Sequence, residues 1–198
     1  MTLAGTVYSV ECIGGLDFLI PYRMRPIEQS IRTNIKKIIK KLKTTGWYNY
    51  VLAADMLIVI MPSPRNEQFA LVRTSNQSAH RPVFFINSGG LINFGISWNA
   101  SVFVHEATHV FQKYYLSGMS LKKLRRQEEN DASRMQILFL KRCGCVGMAR
   151  YLKNQLKKTR GWWEWLDSGP TNEEERRDAD LNEHCSLILA ELMPYILI

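Results

Sequence analysis

The sequence predicts an α+β fold, with a small sheet built from its first half and helices filling its second half. Three observations lead there. Short apolar or β-branched runs bounded by Gly or Pro recur as far as Asn87. After Asn99 hydrophobic residues recur only at helical spacing. The two kinds of pattern are segregated along the chain, apart from one early helix, as in a sheet packed on helices. The 198 residues contain no internal repeat or low-complexity segment. They fit a single domain spanning 1–198, long enough to bury a core without disulfides.

Residues Thr6 to Ile20 mix β-branched residues, aromatics and a Gly-Gly pair, and read as one or two short strands. Pro26 can open a helix, because its missing N–H would be unpaired in the first turn anyway. Ile27, Ile31, Ile35, Ile38, Ile39 and Leu42 then define an apolar stripe with lysines between them, and Gly46 ends it. Val51 to Met61 reads as a buried strand closed by Pro62-Ser63-Pro64. Phe69 to Thr74 and Pro82 to Asn87 read as two more, joined by a polar loop, Ser75 to Arg81. Ser88-Gly89-Gly90 reads as a turn. A helix follows from about Asn99 to Tyr115, capped by Asn99 or Ser101 and stopped by Gly118. A second runs from near Ser120 to about Cys143, and Gly144 and Gly147 separate it from a third ending near Gly161. Trp162, Trp163 and Trp165 form an aromatic cluster before Gly169-Pro170, and a last helix runs from about Asn172 to Met193.

The chain is basic, with 26 Lys plus Arg against 18 Asp plus Glu and a net charge of +8. Eight cations and one acid, Glu28, fall between Arg23 and Lys43, and further clusters run from Lys122 to Arg126 and from Arg150 to Arg160. Such blocks are mostly solvated helix faces, though they steer acidic partners. The four cysteines, Cys12, Cys143, Cys145 and Cys185, form no dense framework, so structural disulfides are not implied. Cys143-Gly144-Cys145 is too tight for a zinc-ribbon knuckle and has no second pair. Met1 to Gly15 lacks a basic leader followed by an apolar core, and no transmembrane run is present. The expected location is the cytoplasm at synthesis, with delivery outside by a route that needs no cleavable signal left open.

Residues 105 to 109 read His-Glu-Ala-Thr-His. On a helix advancing about 100° per residue, His109 lies about 40° from His105, so one face presents two imidazoles one turn apart, able to grip one metal ion. Glu106 lies about 100° away, flanking the pair, and Gln112 lies about 20° to its other side. Phe103, Val104, Ala107, Val110, Phe111, Tyr114 and Tyr115 fill the opposite arc, giving the helix one side for a core and one for ligands. A catalytic zinc needs a third protein ligand. No Gly and third His follow at the metzincin spacing, and the remaining histidines are His80 and His184. A glutamate on the next helix is the better candidate, and Glu128 and Glu129 lie 19 and 20 residues beyond His109.

With these residues the chain resembles the gluzincins, zinc peptidases that pair His-Glu-x-x-His with a glutamate on a second helix. Their pattern after the ligand, Glu-x-x-(Ala or Ser)-Asp, is matched by Glu129-Asn130-Asp131-Ala132 but not at the last position, where Ser133 stands. The pattern favours Glu129, whereas Glu128 falls on the apolar stripe of its helix with Leu121, Leu124, Ala132, Met135 and Phe139. Ser133 removes an acid that would support a histidine, a role open to Asp131 or Gln136. The same motif followed by Val-x-Gln also resembles small peptidase domains attached to bacterial secreted and phage-like toxins, over about 30 residues.

The resemblance implies a zincin-like peptidase with Zn2+ held by His105, His109 and Glu129, and Glu106 as the base for a zinc-activated water attacking a peptide carbonyl. Tyr114, Tyr115, Tyr151 and His184 are candidates for stabilising the oxyanion. The strand before the motif helix, Pro82 to Asn87, is the expected edge for an extended peptide or protein substrate. The basic surface suits an acidic partner. The alternative reading is a basic nucleic-acid- or partner-binding module on a catalytically inactive zincin scaffold. No nucleic-acid fold signature accompanies the lysines and tryptophans, so nucleic acid is not the expected partner.

Overall fold

The computed structural model describes residues 1–22, 27–62, 70–73, 81–115, 121–158 and 173–195. Strands β1 (Thr2–Leu3), β2 (Thr6–Ile13) and β3 (Leu16–Pro21) form an antiparallel meander. Gly14 and Gly15, both at positive φ, make the two-residue turn between β2 and β3. That conformation matches the twist of a hairpin and excludes most side chains. A Cβ on Gly14 would also lie 3.0 Å from Ile39, so the turn sits hard against the next helix.

Helix α1 (Ile27–Thr45) buries Ile31, Ile35, Ile38, Ile39 and Leu42, the stripe expected from spacing, and Gly46 follows it at positive φ. Its expected opener, Pro26, lies outside the described residues. The expected strand from Val51 splits in two. Residues Tyr48–Ala53 form helix α2, and only Leu57–Met61 form strand β4. Val51 and Ala54 are buried three residues apart while Leu52 and Ala53 face solvent, which is helical periodicity within an apolar run. Asp55, at φ 45°, turns the chain into β4.

Strands β5 (Ala70–Arg73) and β6 (Val83–Asn87) follow as expected, though the connecting loop lies largely outside the described residues. The sheet order is β1-β2-β3-β4-β6-β5, with β3, β4 and β6 parallel and β5 antiparallel to β6. The mixed sheet and its helices make the fold α+β, as the sequence predicts. Every residue of β4 and β6 is buried. Alternate side chains go to two layers, because both faces are covered.

The Ser88-Gly89-Gly90 turn is instead the start of helix α3 (Ser88–Asn93), whose first four residues are buried. Helix α4 (Ile96–Tyr115) begins earlier than expected, so neither Asn99 nor Ser101 is its cap. Asn99 is fully buried inside the helix, and its amide donates to the Leu91 and Phe94 carbonyls at the end of α3, 3.2 and 3.1 Å away. Helices α5 (Leu121–Arg142), α6 (Val146–Lys158) and α7 (Glu173–Leu192) complete the second half, with a 3-10 turn at Met193–Tyr195. Gly147 lies inside α6 rather than before it. The tryptophan cluster and Gly118 fall outside the described residues.

Candidate metal centre

Helix α4 runs along the helical core with Phe103, Val104, Ala107 and Val110 buried, so the face carrying His105 and His109 turns toward α5. The two Nε2 atoms lie 3.0 Å apart. Glu129, reached from α5, places one carboxylate oxygen 3.6 Å from Nε2 of His105 and the other 3.5 Å from Nε2 of His109. The three ligand atoms lie within 4.8 Å of one another, a cluster that could hold a metal ion. Two nitrogen donors and a carboxylate converging on one point suit a divalent transition metal.

Neighbouring Glu128 differs in role. Its main-chain carbonyl accepts a hydrogen bond from the Gln112 amide at 2.7 Å, while the Gln112 carbonyl oxygen lies 2.9 Å from Nδ1 of His109. The apolar stripe therefore does not decide which glutamate faces the histidines. The two residues are about 100° apart on α5, and its phase against α4 turns Glu129 inward. Of the outer partners considered for a histidine, Asp131 is engaged on its own helix by Gln127 at 2.7 Å and Arg134 at 3.2 Å. Gln136 is buried at the site, donates to Ser101 at 3.0 Å, and approaches His105 closely enough to favour its charged form. Nδ1 of His105 is nonetheless buried without a hydrogen bond of normal geometry.

Burial and mutual charge set the protonation of the group. Glu106 is 5% exposed, and burial pushes its carboxyl up to about 7; the Glu129 charge adds to this, while His105 and a main-chain hydrogen bond from Val72 oppose it. Burial, reinforced by His105, lowers His109 to about 4, which keeps its imidazole neutral and able to ligate. At His105 burial acts the same way but is outweighed by Glu129 and Glu106, so its pKa is raised.

The contact from Val72 brings β5 into the site, which sequence reasoning missed. The expected substrate edge, Pro82 to Asn87, is β6, and both its sides are occupied by β4 and β5. The edge strands of the described sheet are β1 and β5, and β5 is the one beside the site. Chain order could not show this, since β5 precedes β6 in sequence but lies outside it. Among the oxyanion candidates, Tyr151 packs edge-on against Trp98, two helical turns before His105, and His184 sits on α7, which covers the other sheet face. The side chains of Tyr114 and Tyr115 lie outside the described residues, as does His80. Comparison of the chain with protein-family models, curated proteins and solved structures gives no match.

Proposed function

We propose that this protein is a zinc-dependent metallopeptidase of the zincin type, with His105, His109 and Glu129 as metal ligands and Glu106 as general base. The observation that carries the reading is the convergence of two imidazoles and a carboxylate beside a second, buried carboxyl that is not part of the donor set. Zinc held by three protein ligands supplies a Lewis acid that polarises a carbonyl and acidifies water.

Glu106 contributes proton transfer. Its carboxylate would take a proton from the attacking water and return it to the leaving amine, and burial favours the protonated form it holds between the two transfers. The main chain at Val72 favours the charged form of that carboxyl, so the edge strand β5 lies beside the base. An extended peptide pairing along β5 would bring its scissile carbonyl to the metal site, beside the water that Glu106 deprotonates. The exposed lysines of α1, Lys36, Lys37 and Lys40, support an acidic protein as substrate or partner through long-range attraction.

The test combines zinc analysis of the purified protein with cleavage of a mixed peptide library by wild type and Glu106→Gln. The reading expects about one zinc per chain, and cleavage by wild type but not by the variant. Zinc without hydrolysis would leave the inactive scaffold with a basic binding surface. Absence of zinc after incubation with the metal would remove the centre altogether.

A further inference from the structure

Zinc ligation by histidine depends on what each ring's other nitrogen does, because that partner selects the tautomer and fixes the plane of the ring. In the family pattern an acid four residues beyond the ligand glutamate is available for this, and here that position is the buried Ser133. Apart from Glu106 and Glu129, the side chains found at the rings are the carboxamides of Gln112 and Gln136. Gln112 is buried, 7% exposed, and makes two bonds that lead in different directions. Its oxygen meets Nδ1 of His109 at 2.9 Å, and its nitrogen donates to the main-chain carbonyl of Glu128 at 2.7 Å.

We propose that Gln112 is a positioning residue that locks His109 with Nε2 facing the metal and, through the Glu128 carbonyl, holds α5 at the phase that turns Glu129 toward both histidines. The inference rests on the metallopeptidase reading and concerns how its centre is kept in shape. Orientation follows from the donor inventory. Within this pair the amide oxygen can only accept, so the proton sits on Nδ1 and the lone pair on Nε2. The amide nitrogen can only donate, and a main-chain carbonyl is a fitting partner. A single side chain thereby ties the histidine helix to the glutamate helix. Because the clamp is neutral, it orients the imidazole without adding a negative charge to a cluster that already holds Glu106 and Glu129.

The two bonds can be separated by substitution. Gln112→Leu removes both at similar volume. Gln112→Glu keeps an acceptor for Nδ1–H and loses the donor to Glu128. Zinc affinity is measured by competition with a chromophoric chelator, and the cobalt-substituted protein supplies a visible spectrum sensitive to ligand geometry. Far-UV circular dichroism and thermal unfolding of the metal-free proteins report the fold. Gln112→Leu is expected to bind zinc ~10- to 100-fold more weakly than wild type, with a changed cobalt spectrum and a folded metal-free state. Gln112→Glu is expected to fall between the two. The proposal is overturned if Gln112→Leu binds zinc within about twofold of wild type, if Gln112→Glu is no better than Gln112→Leu, or if both variants are unfolded without metal, since the role is then packing. If wild type itself binds neither zinc nor cobalt, the functional reading fails first.

Discussion

Alternate residues of β4 and β6 supply two layers of unlike construction. Ile58, Ile60, Phe84 and Ile86 meet α1, α3, α4 and α5 in a large core, with Phe84 edge-on to Phe103 of α4 at 5.1 Å between centroids. Leu57, Val59, Met61, Val83 and Phe85 face the other way, onto Cys185, Ile188 and Leu192 of α7. The first layer is assembled from helices far apart in sequence, and the candidate metal centre sits at its rim, where α4 meets α5. Among the described residues the second is covered by one helix and carries no such cluster. Its thiol, Cys185, is buried against Met61, and burial pushes its pKa up to about 12, as expected of an inert packing residue. From this contrast, weakening the back layer is expected to leave the candidate centre intact, whereas the front layer supports both the fold and the centre.

The sharpest break in that comparison is chemical. His109→Ala and Glu129→Ala are each expected to lower zinc affinity by at least ~100-fold, while Glu128→Ala stays near wild type, read by chelator competition. Glu106→Gln is expected to keep zinc and lose ~100- to 10,000-fold in turnover. Comparable zinc loss at Glu128 and Glu129 would contradict the geometry.

Packing comes next. Phe84→Ala in the front layer is expected to cost ~3–5 kcal/mol and Ile188→Ala in the back layer ~2–4 kcal/mol in chemical denaturation. The second variant, while folded, should retain wild-type zinc affinity. A back-layer lesion that empties the centre would show that the layers are coupled through the sheet.

A third effect is the pH dependence of the metal-free protein. The folded pKa of Glu106 is raised to about 7, above its unfolded value, so the stability it contributes is present at acid pH and is lost as pH rises toward 7. His109, lowered to about 4, acts oppositely and costs stability as pH falls below ~6.5. Metal-free Glu106→Gln should therefore gain on wild type by up to ~3 kcal/mol between pH ~4.5 and ~8, while the acid-side loss from His109 remains. Parallel stability curves for the two proteins across that range would refute the assignment.

Smaller effects belong to the surface. Reversing Lys36, Lys37, Lys40 and Lys41 to Glu is expected to leave turnover of a short neutral peptide unchanged and to slow cleavage of an acidic protein about tenfold at low salt. Equal rates on both substrates would make the net charge a matter of solubility. Smallest is the ion pair that pins α1 to β2: Arg32 binds Glu11 and Glu28, and the Arg32 bond chiefly lowers the Glu11 pKa. These side chains are partly exposed, so Glu11→Gln should cost less than ~1 kcal/mol at neutral pH. The difference from wild type should vanish as pH falls through the lowered Glu11 pKa, and the zinc centre should be unaffected.

The helices were the more legible part of this chain. The isoleucine stripe of α1 and the two-sided pattern of α4 are local periodicities, and the structure follows them because burial rewards one face of a helix wherever it packs. The motif on α4 likewise needs only the helical turn to bring His105 and His109 together. Apolar runs were less legible. Val51 to Met61 is hydrophobic apart from Asp55, a pattern that a buried strand and a short packed helix satisfy equally, and the break came from backbone conformation at Asp55.

The sequence was enough for the α+β class, the apolar faces of α1 and α4, and the pairing of two imidazoles with a flanking carboxyl, because those depend on residues within a turn or two of one another. The family pattern favoured Glu129 over Glu128 and the packing of α5 on α4 agrees with it, whereas only tertiary structure decided which strand lies at the sheet edge beside the site and that Val72 and Gln112 approach it from two sides. Each of these depends on the phase of one element against another distant in sequence, and that phase is set by packing of the whole core rather than by any local pattern.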